Sequence, residues 1–236
     1  MQRLALPDVK NRLLAALPQR DYQRLTRHLE PVSLDLGQVL YEPGSLIRHV
    51  YFPESGVISL LAGVGPNKTA EVAVVGNEGV VGSSAILGLN VSQLRALVQG
   101  EGTALRIESS RLRKELGTHG EWFRELFRFT NALMSQAAQT AACNRFHTVE
   151  ARLARWLLAT RDRTNSRHLH LTQKFLSIML GVRRVGITGA AMNLQKLKLI
   201  TYSRGNIQIL DPVRLEAAAC SCYGVVKEIY RLSYRK

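Results

Sequence analysis

The 236 residues are 46% hydrophobic, a globular proportion that excludes wholesale disorder, and no apolar run approaches the ~18 residues needed to span a bilayer. Formal net charge is +14 with a pI near 10.3, and the excess is unevenly placed. Residues 1–142 carry 15 Lys+Arg against 13 Asp+Glu, a net of +2, whereas residues 143–236 carry 17 against 5, a net of +12. The second stretch has the electrostatics of a polyanion binder and the first does not. Its basic residues are spread through a patterned domain rather than gathered in one amphipathic arm, which argues against a membrane surface as partner. Residues 1–10 lack the charged-then-apolar order of a secretory signal and carry Pro7 and Asp8, so the chain reads as soluble and cytoplasmic.

In chain order, the first thirty residues read as helical. Leu13, Leu14, Leu17, Tyr22, Leu25 and Leu29 recur at helical spacing, with a break at Pro18. From Val32 to Ile107 short β-rich runs follow: 39–41, 49–52, 56–61, 70–75 and 94–99. Turn signals separate them at Pro43-Gly44, Pro53, Gly65-Pro66-Asn67 and Gly76-Asn77. Short strands at this interval, mostly without helices between them, predict a β-sandwich or barrel rather than a βαβ sheet.

Residues 110–163 are helical in pattern. Trp122, Phe123, Leu126, Phe127, Phe129, Leu133, Met134, Ala137 and Ala141 make an apolar face wider than packing on one small domain requires. A long helix of this kind often pairs with a second copy of itself. Val149, Leu153, Trp156, Leu157 and Leu158 begin another core, and the polar run Arg161 to Ser166 reads as a loop.

The segment 171–198 has the grammar of a helix-turn-helix. Thr172 can cap a short helix whose inner face is Phe175, Leu176, Met179 and Leu180. Gly181 stands where the turn needs a residue tolerant of positive φ, and Val182 follows as an apolar plug. A second helix is predicted over 183–198, with Ile187, Ala190, Leu194 and Leu197 as its core-facing stripe. Its other face carries Arg184, Thr188 and Gln195. Arg184 lies at the N-terminal end, where side chains reach base edges in a major groove, and an arginine there can bind guanine O6 and N7 together. Arg183, Lys196 and Lys198 suit phosphate contacts, with Thr172 and Gln173 beside them at the start of the first helix. Residues 199–210 form a hairpin pattern with a turn at Arg204-Gly205-Asn206, which makes the unit a winged helix with Arg204 at the wing tip.

These features resemble the C-terminal domain of the Crp/Fnr family of bacterial regulators, whose pattern is met by Leu171-Thr172-Gln173 and Leu180-Gly181. The run 36–44 (LGQVLYEPG) and the pair Tyr51-Phe52 leading to Gly56-Val57 are similar to that family's cyclic-nucleotide-binding-like jelly roll. The resemblance covers about residues 10–212. It implies an α+β chain: a β-roll sensor domain with N-terminal helices over 1–117, a dimerisation helix over 118–146, and a winged helix-turn-helix over 147–236. It further implies a homodimer reading a two-fold symmetric site on double-stranded DNA, with RNA polymerase as a further partner. Two departures qualify it. The recognition helix has Val185 where the best-known members have a glutamate, and Gly189 where they have a second arginine, so the target sequence should differ. Gly186 and Gly189 each cost about 1 kcal/mol in a helix interior, which close packing or close approach to DNA would explain.

The second departure lies in the sensor. Aligning 79–84 and 94–98 with the family's nucleotide cassette puts Ser83 at the ribose-binding glutamate and Leu94 at the phosphate-binding arginine, with Arg95 one residue late. On a strand that displacement points Arg95 to the other face unless a bulge intervenes. Gly82, Ser83, Ser84 and Arg95 are the candidate effector residues, and the effector, a small molecule of unknown identity, is expected not to be a cyclic nucleotide. The alternative is a small-molecule-binding signalling module whose winged helix makes protein contacts. Cys143, Cys220 and Cys222 form no disulfide framework. Cys220 and Cys222 could offer two metal ligands, but one intervening residue is an unusual spacing and no second pair is evident. Isolated histidines such as His28 and His49 are far more often structural than haem ligands. No cofactor or metal is therefore expected. Cys143 with His147 is too slight to build an active site on, and no Ser-His-Asp, HExxH, P-loop or paired-carboxylate motif suggests an enzyme.

Overall fold

The computed structural model describes residues 9–63, 65, 68–116 and 120–234. Pro66 and Asn67 of the expected turn, and the expected boundary at 117/118, lie outside the described residues. Two compact units are present, one of Met1–Leu60 and Val74–Leu133, the other of Leu61–Ala73 and Met134–Lys236.

The first unit opens with α1 (Arg12–Ala15) and α2 (Gln19–Thr26), separated at Pro18 as the sequence pattern requires. Asn11 is buried and fully used: Oδ1 accepts from the Leu13 and Leu14 N–H groups, and Nδ2 donates to the carbonyls of Pro53 and Gly79. The strands are β1 (Glu30–Leu34), β2 (Val39–Tyr41), β3 (His49–Pro53), β4 (Val57–Gly63), β5 (Thr69–Val75), β6 (Arg95–Gly100) and β7 (Gly102–Glu108), the end of β4 and most of β5 being counted with the second unit, with α3 (Ser83–Ile86) after β5 and α4 (Ser109–Leu116) after β7. They form one sheet in the order β1-β7-β3 and another in the order β2-β6-β4-β5. β7 is antiparallel to both its neighbours, pairing Val32 with Ala104 and Val50 with Ile107. Leu34, Val50, Phe52, Ile58, Val98, Ala104 and Ile107 are buried and make the β core. This is the α+β architecture expected.

From α4 the chain passes to α5 (Glu121–Phe146). The broad apolar face of this helix divides in two. Trp122, Leu126, Phe129 and Ala132 are buried, whereas Phe127 and Met134 are 55% and 66% exposed. Asn131, Ala138, Ala141 and Arg145 extend the exposed row at intervals of three and four residues. On the buried side, Phe129 lies so close to Gly79 that a Cβ there would stand 2.0 Å from its ring.

The second unit contains α6 (Val149–Thr164), β8 (His168–His170), α7 (Gln173–Leu180), α8 (Arg184–Lys196), β9 (Ile200–Ser203), β10 (Asn206–Ile209), α9 (Pro212–Ala218) and α10 (Cys222–Ser233). Thr148 caps α6 by accepting from the Ala151 N–H. The helix runs through the expected loop at Arg161–Arg163 and stops at Asn165, which takes the left-handed conformation (φ 51°). Tertiary contacts hold that extra turn, because the Tyr223 hydroxyl donates to Asp162 at 2.6 Å and Arg161 pairs with the same carboxylate. Leu153, Leu157, Leu158, Leu176, Ile187, Leu194 and Ile207 are buried and form the core. Trp156 donates its indole N–H to Glu71 at 2.9 Å and packs edge-on against Phe175. Among the described residues no single helix is long and apolar enough to cross a membrane.

Candidate nucleic-acid interface

Thr172 performs the capping role expected of it. Its Oγ1 accepts from the Phe175 N–H at 3.1 Å, satisfying one of the orphan donors of α7. The helix ends at Gly181 (φ 62°), while the Val182 N–H reaches back to the Ser177 carbonyl at 3.0 Å. That left-handed cap reverses the chain, and α7 and α8 meet with a bend of 106°, within the range of a helix-turn-helix. Two further bonds fix the pair. Gln173 Oε1 accepts from the Thr188 hydroxyl at 3.1 Å, and buried Arg152 of α6 donates to the Leu180 carbonyl.

The recognition helix is slightly shorter than its sequence pattern. Arg183 is its N-cap, Arg184 its first helical residue and Leu197 its C-cap. Because the chain leaves the helix there, Leu197 does not continue the core stripe and is 47% exposed; Ala191 is buried in line with Ile187, Ala190 and Leu194 instead. Gly186 has only ordinary van der Waals space toward Val149, and Gly189 faces open space. Internal packing therefore explains neither glycine.

The wing is a two-residue hairpin. Ser203 pairs with Asn206 across Arg204 (φ 47°) and Gly205 (φ 84°), and two successive positive φ values are those of a type I′ turn. β8, too short to stand out in the sequence, adds a third strand in the order β8-β10-β9. The Tyr202 hydroxyl donates to the Leu171 carbonyl at 3.0 Å, tying the wing to the residue before the Thr172 cap. Burial pushes the Tyr202 hydroxyl pKa up, against the opposing pull of Arg184.

Together these elements frame an open cleft of about 360 Å³ lined by Thr172, Gln173, Arg184, Thr188, Tyr202 and Arg204. Sequence residues up to 32 positions apart are thus brought to one surface. Arg183 and Lys196 stand on α8 outside that lining. Lys174, Arg183, Arg184, Lys196, Lys198 and Arg204 are all exposed, and none has a carboxylate partner among the described residues. Gln195, expected on the same face of α8 as Arg184 and Thr188, also lines the cleft, and so does Met192, which the sequence pattern does not single out. Met192 lies four residues after Thr188 on that face, but as an apolar side chain it carries no polar group that would mark it as a DNA contact.

The candidate effector residues occupy the first unit. Gly82 is left-handed (φ 94°) before α3, and a Cβ there would meet the Tyr41 hydroxyl at 2.8 Å. Ser83 and Ser84 form the first turn of α3. Arg95 begins β6 and pairs with Glu42 at 3.2 Å. Along β6, Ala96 and Val98 are buried while Arg95 and Leu97 are part-exposed, so Arg95 lies on the more open face.

Residues 151–218 match the family model of the Crp-like helix-turn-helix domain. No curated protein matches the sequence. Among solved structures the chain is similar to FixK2 from Bradyrhizobium japonicum (16% identity, TM-score 0.66), covering 82% of this chain and 98% of that one. It is similar to a CRP-family transcriptional regulator from Thermus thermophilus (17% identity, TM-score 0.67; 80% of this chain, 96% of that one). The c-di-GMP-responsive global regulator CLP of Xanthomonas campestris matches at 15% identity and a TM-score of 0.65, over 81% of this chain and 99% of that one. The latter two are regulators rather than enzymes, and at these identities the likeness is one of fold. The chain has the fold of the Crp/Fnr regulators and carries their helix-turn-helix domain.

Proposed function

We propose that this Crp/Fnr-fold chain is a sequence-specific DNA-binding transcription regulator that acts as a homodimer. The observation that carries the reading is the cleft between α7, α8 and the wing, lined by Arg184 and Arg204, with Lys174, Arg183, Lys196 and Lys198 exposed on or beside the same two helices and none of the six paired with a carboxylate among the described residues. An unpaired cationic rim is unfavourable in isolation and favourable against phosphate, where it releases condensed counterions. Within it, Arg184 is the base reader, Thr188 and Gln173 support its helix, and Thr172, Arg183, Lys196 and Arg204 hold the backbone. The reader is the domain over 147–236.

The exposed row of α5 supports the dimer. Phe127, Asn131, Met134, Ala138, Ala141 and Arg145 recur at alternating intervals of four and three, the spacing of a coiled-coil seam. Two copies joined there would present two recognition helices to a two-fold symmetric site, with RNA polymerase engaged from the bound dimer. The effector is a small molecule other than a cyclic nucleotide, since Ser83 and Leu94 stand where a nucleotide cassette needs glutamate and arginine and Arg95 lies on the more open face of β6.

Selecting bound sequences from random duplex DNA, then measuring affinity against salt, tests the proposal. The expected result is an enriched near-palindrome and an affinity falling by a large factor between 50 and 200 mM salt, on the order of 10³ for six phosphate contacts. Absence of duplex binding refutes it and favours the reading in which the winged helix contacts protein.

A further inference from the structure

Cys220 and Cys222 have no evident second ligand pair in the sequence, but the fold supplies one. Cys143 and His147 stand one turn apart at the C-terminal end of α5, and Cys220 and Cys222 lie where α9 gives way to α10. The three Sγ atoms and an imidazole nitrogen all lie within 4.8 Å of one another. Cys143 Sγ is 3.5 Å from Cys220 Sγ, and Cys222 Sγ is 3.5 Å from His147 Nδ1. A tetrahedral ion with metal–sulfur bonds of about 2.3 Å and metal–nitrogen bonds of about 2.0 Å has edges of about 3.8 Å between sulfurs and about 3.5 Å between sulfur and nitrogen. The two close pairs match those edges to about 0.3 Å, and all four donors lie near enough together for small side-chain shifts to close them on one ion.

The surroundings match the charge such a site would carry. Three thiolates, one neutral imidazole and a divalent ion sum to −1. Arg152 and Arg155 are buried to 6% and 9% exposure, and their Nε atoms have no hydrogen-bond partner. Both lie within electrostatic reach of Cys143. Guanidinium groups buried beside neutral thiols would be poorly compensated; beside an anionic metal centre they are balanced. Gln139 donates its amide N–H to Cys222 Sγ at 3.0 Å, as groups around metal thiolates do. All three sulfurs are buried and His147 is half-buried, so four protein ligands close the shell and leave no open position.

We propose that Cys143, His147, Cys220 and Cys222 bind one zinc ion that clasps the start of α10 to the end of α5. Zinc suits three thiolates and an imidazole in a closed tetrahedron, and a site without an open position is structural rather than catalytic. A cluster of several irons would spread its ligands over different metal atoms, farther apart than these donors stand. The clasp surrounds the α5–α6 junction: Ala151, in the first turn of α6, packs on the cysteine cluster, and its carbonyl accepts from the Cys220 N–H.

The test is metal analysis of the full-length protein purified under reducing conditions with zinc in the growth medium. About one zinc per chain is expected, falling to near zero when Cys220→Ser is combined with Cys222→Ser, and retained in His147→Cys. Should the serine variant fail to fold, cobalt(II) titrated into the zinc-stripped natural chain decides the matter. An intense tetrahedral visible spectrum saturating at one equivalent, with sulfur-to-metal charge transfer that shifts in His147→Cys, supports the site. Octahedral cobalt, a zinc content well below stoichiometric, or iron with acid-labile sulfide overturns it.

Discussion

Gly189 lies inside α8, exposed, with no neighbouring atom within 4 Å of where a Cβ would sit. Its backbone is ordinary right-handed helix, so alanine meets no strain there. Replacing a helix-interior glycine with alanine should then stabilise the chain by about 0.5–1 kcal/mol, because less backbone entropy is lost on folding. For a chain of this size that is a rise of roughly 1–4 °C in Tm. Nothing within the monomer accounts for the glycine. If α8 lies in the major groove as proposed, an added methyl meets DNA instead, and overpacking of about 1–3 kcal/mol would weaken cognate binding roughly 5- to 150-fold. Thermal melting and fluorescence anisotropy on the selected duplex read the two effects separately, and they should carry opposite signs. Raised stability with unchanged affinity would refute close approach of DNA at this position. Lowered stability would refute the account of the glycine itself.

Arg184→Ala should reduce affinity for the selected site by about 1–3 kcal/mol per half-site while leaving random-sequence binding much less affected, measured by competition; equal losses would count against base reading. Arg204→Ala should weaken all sequences alike and flatten the slope of log affinity against log salt by about 0.9 for each phosphate contact removed. A changed base preference in that variant would show that the wing reads sequence. Met134→Glu places a charge on the exposed row of α5 and should shift sedimentation toward monomer with little loss of monomer stability. An unchanged dimer would move the interface elsewhere. Gly79→Ala, whose Cβ would fall 2.0 Å from the Phe129 ring, should cost about 1–3 kcal/mol in urea unfolding, partly relieved by Phe129→Leu. A cost below about 0.5 kcal/mol would mean the ring is free to move.

The elements legible in the sequence are those whose own residues carry the signal. β2 to β6 are apolar and β-branched between glycine or proline turns, and each falls within two residues of its expected place. β1 and β7 were missed for opposite reasons. β1 is a sheet edge, where Pro31 is tolerated because its missing N–H can face solvent. β7 mixes Arg106 and Glu108 into its alternation, and only its pairing with both β1 and β3 makes it a strand. The final turn of α6 is polar at every position and depends on Tyr223, some sixty residues away. Of the DNA-facing residues, Thr172, Gly181 and Arg204 could be read locally, because each does a job that its type and immediate neighbours define. Met192 could not: it shares a helical face with Arg184 and Thr188 but is apolar, so neither its type nor its neighbours define a DNA-facing job for it.

The cysteines make the same distinction sharper. Read along the chain, Cys143 with His147 is one helical turn of no consequence, and Cys220 with Cys222 is half of a motif. Pairs about 75 residues apart meet only because α9 and α10 return the chain to the end of α5, where Ala151 and the buried Arg152 and Arg155 complete the surroundings. The arginines are the deciding feature. A chance meeting of three thiols in an apolar pocket would be buried among neutral groups, as free cysteines usually are. Two guanidinium groups lose much of their hydration to stand beside these thiols; Arg152 regains part of it at the Leu180 carbonyl, but the Nε atoms of both have no partner, and a negatively charged cluster balances them. A metal thiolate centre supplies that charge at neutral pH without leaving exposed, oxidisable sulfur, and it adds to the anchoring that Leu215, Tyr223, Val226 and Tyr230 already give the C-terminal helices.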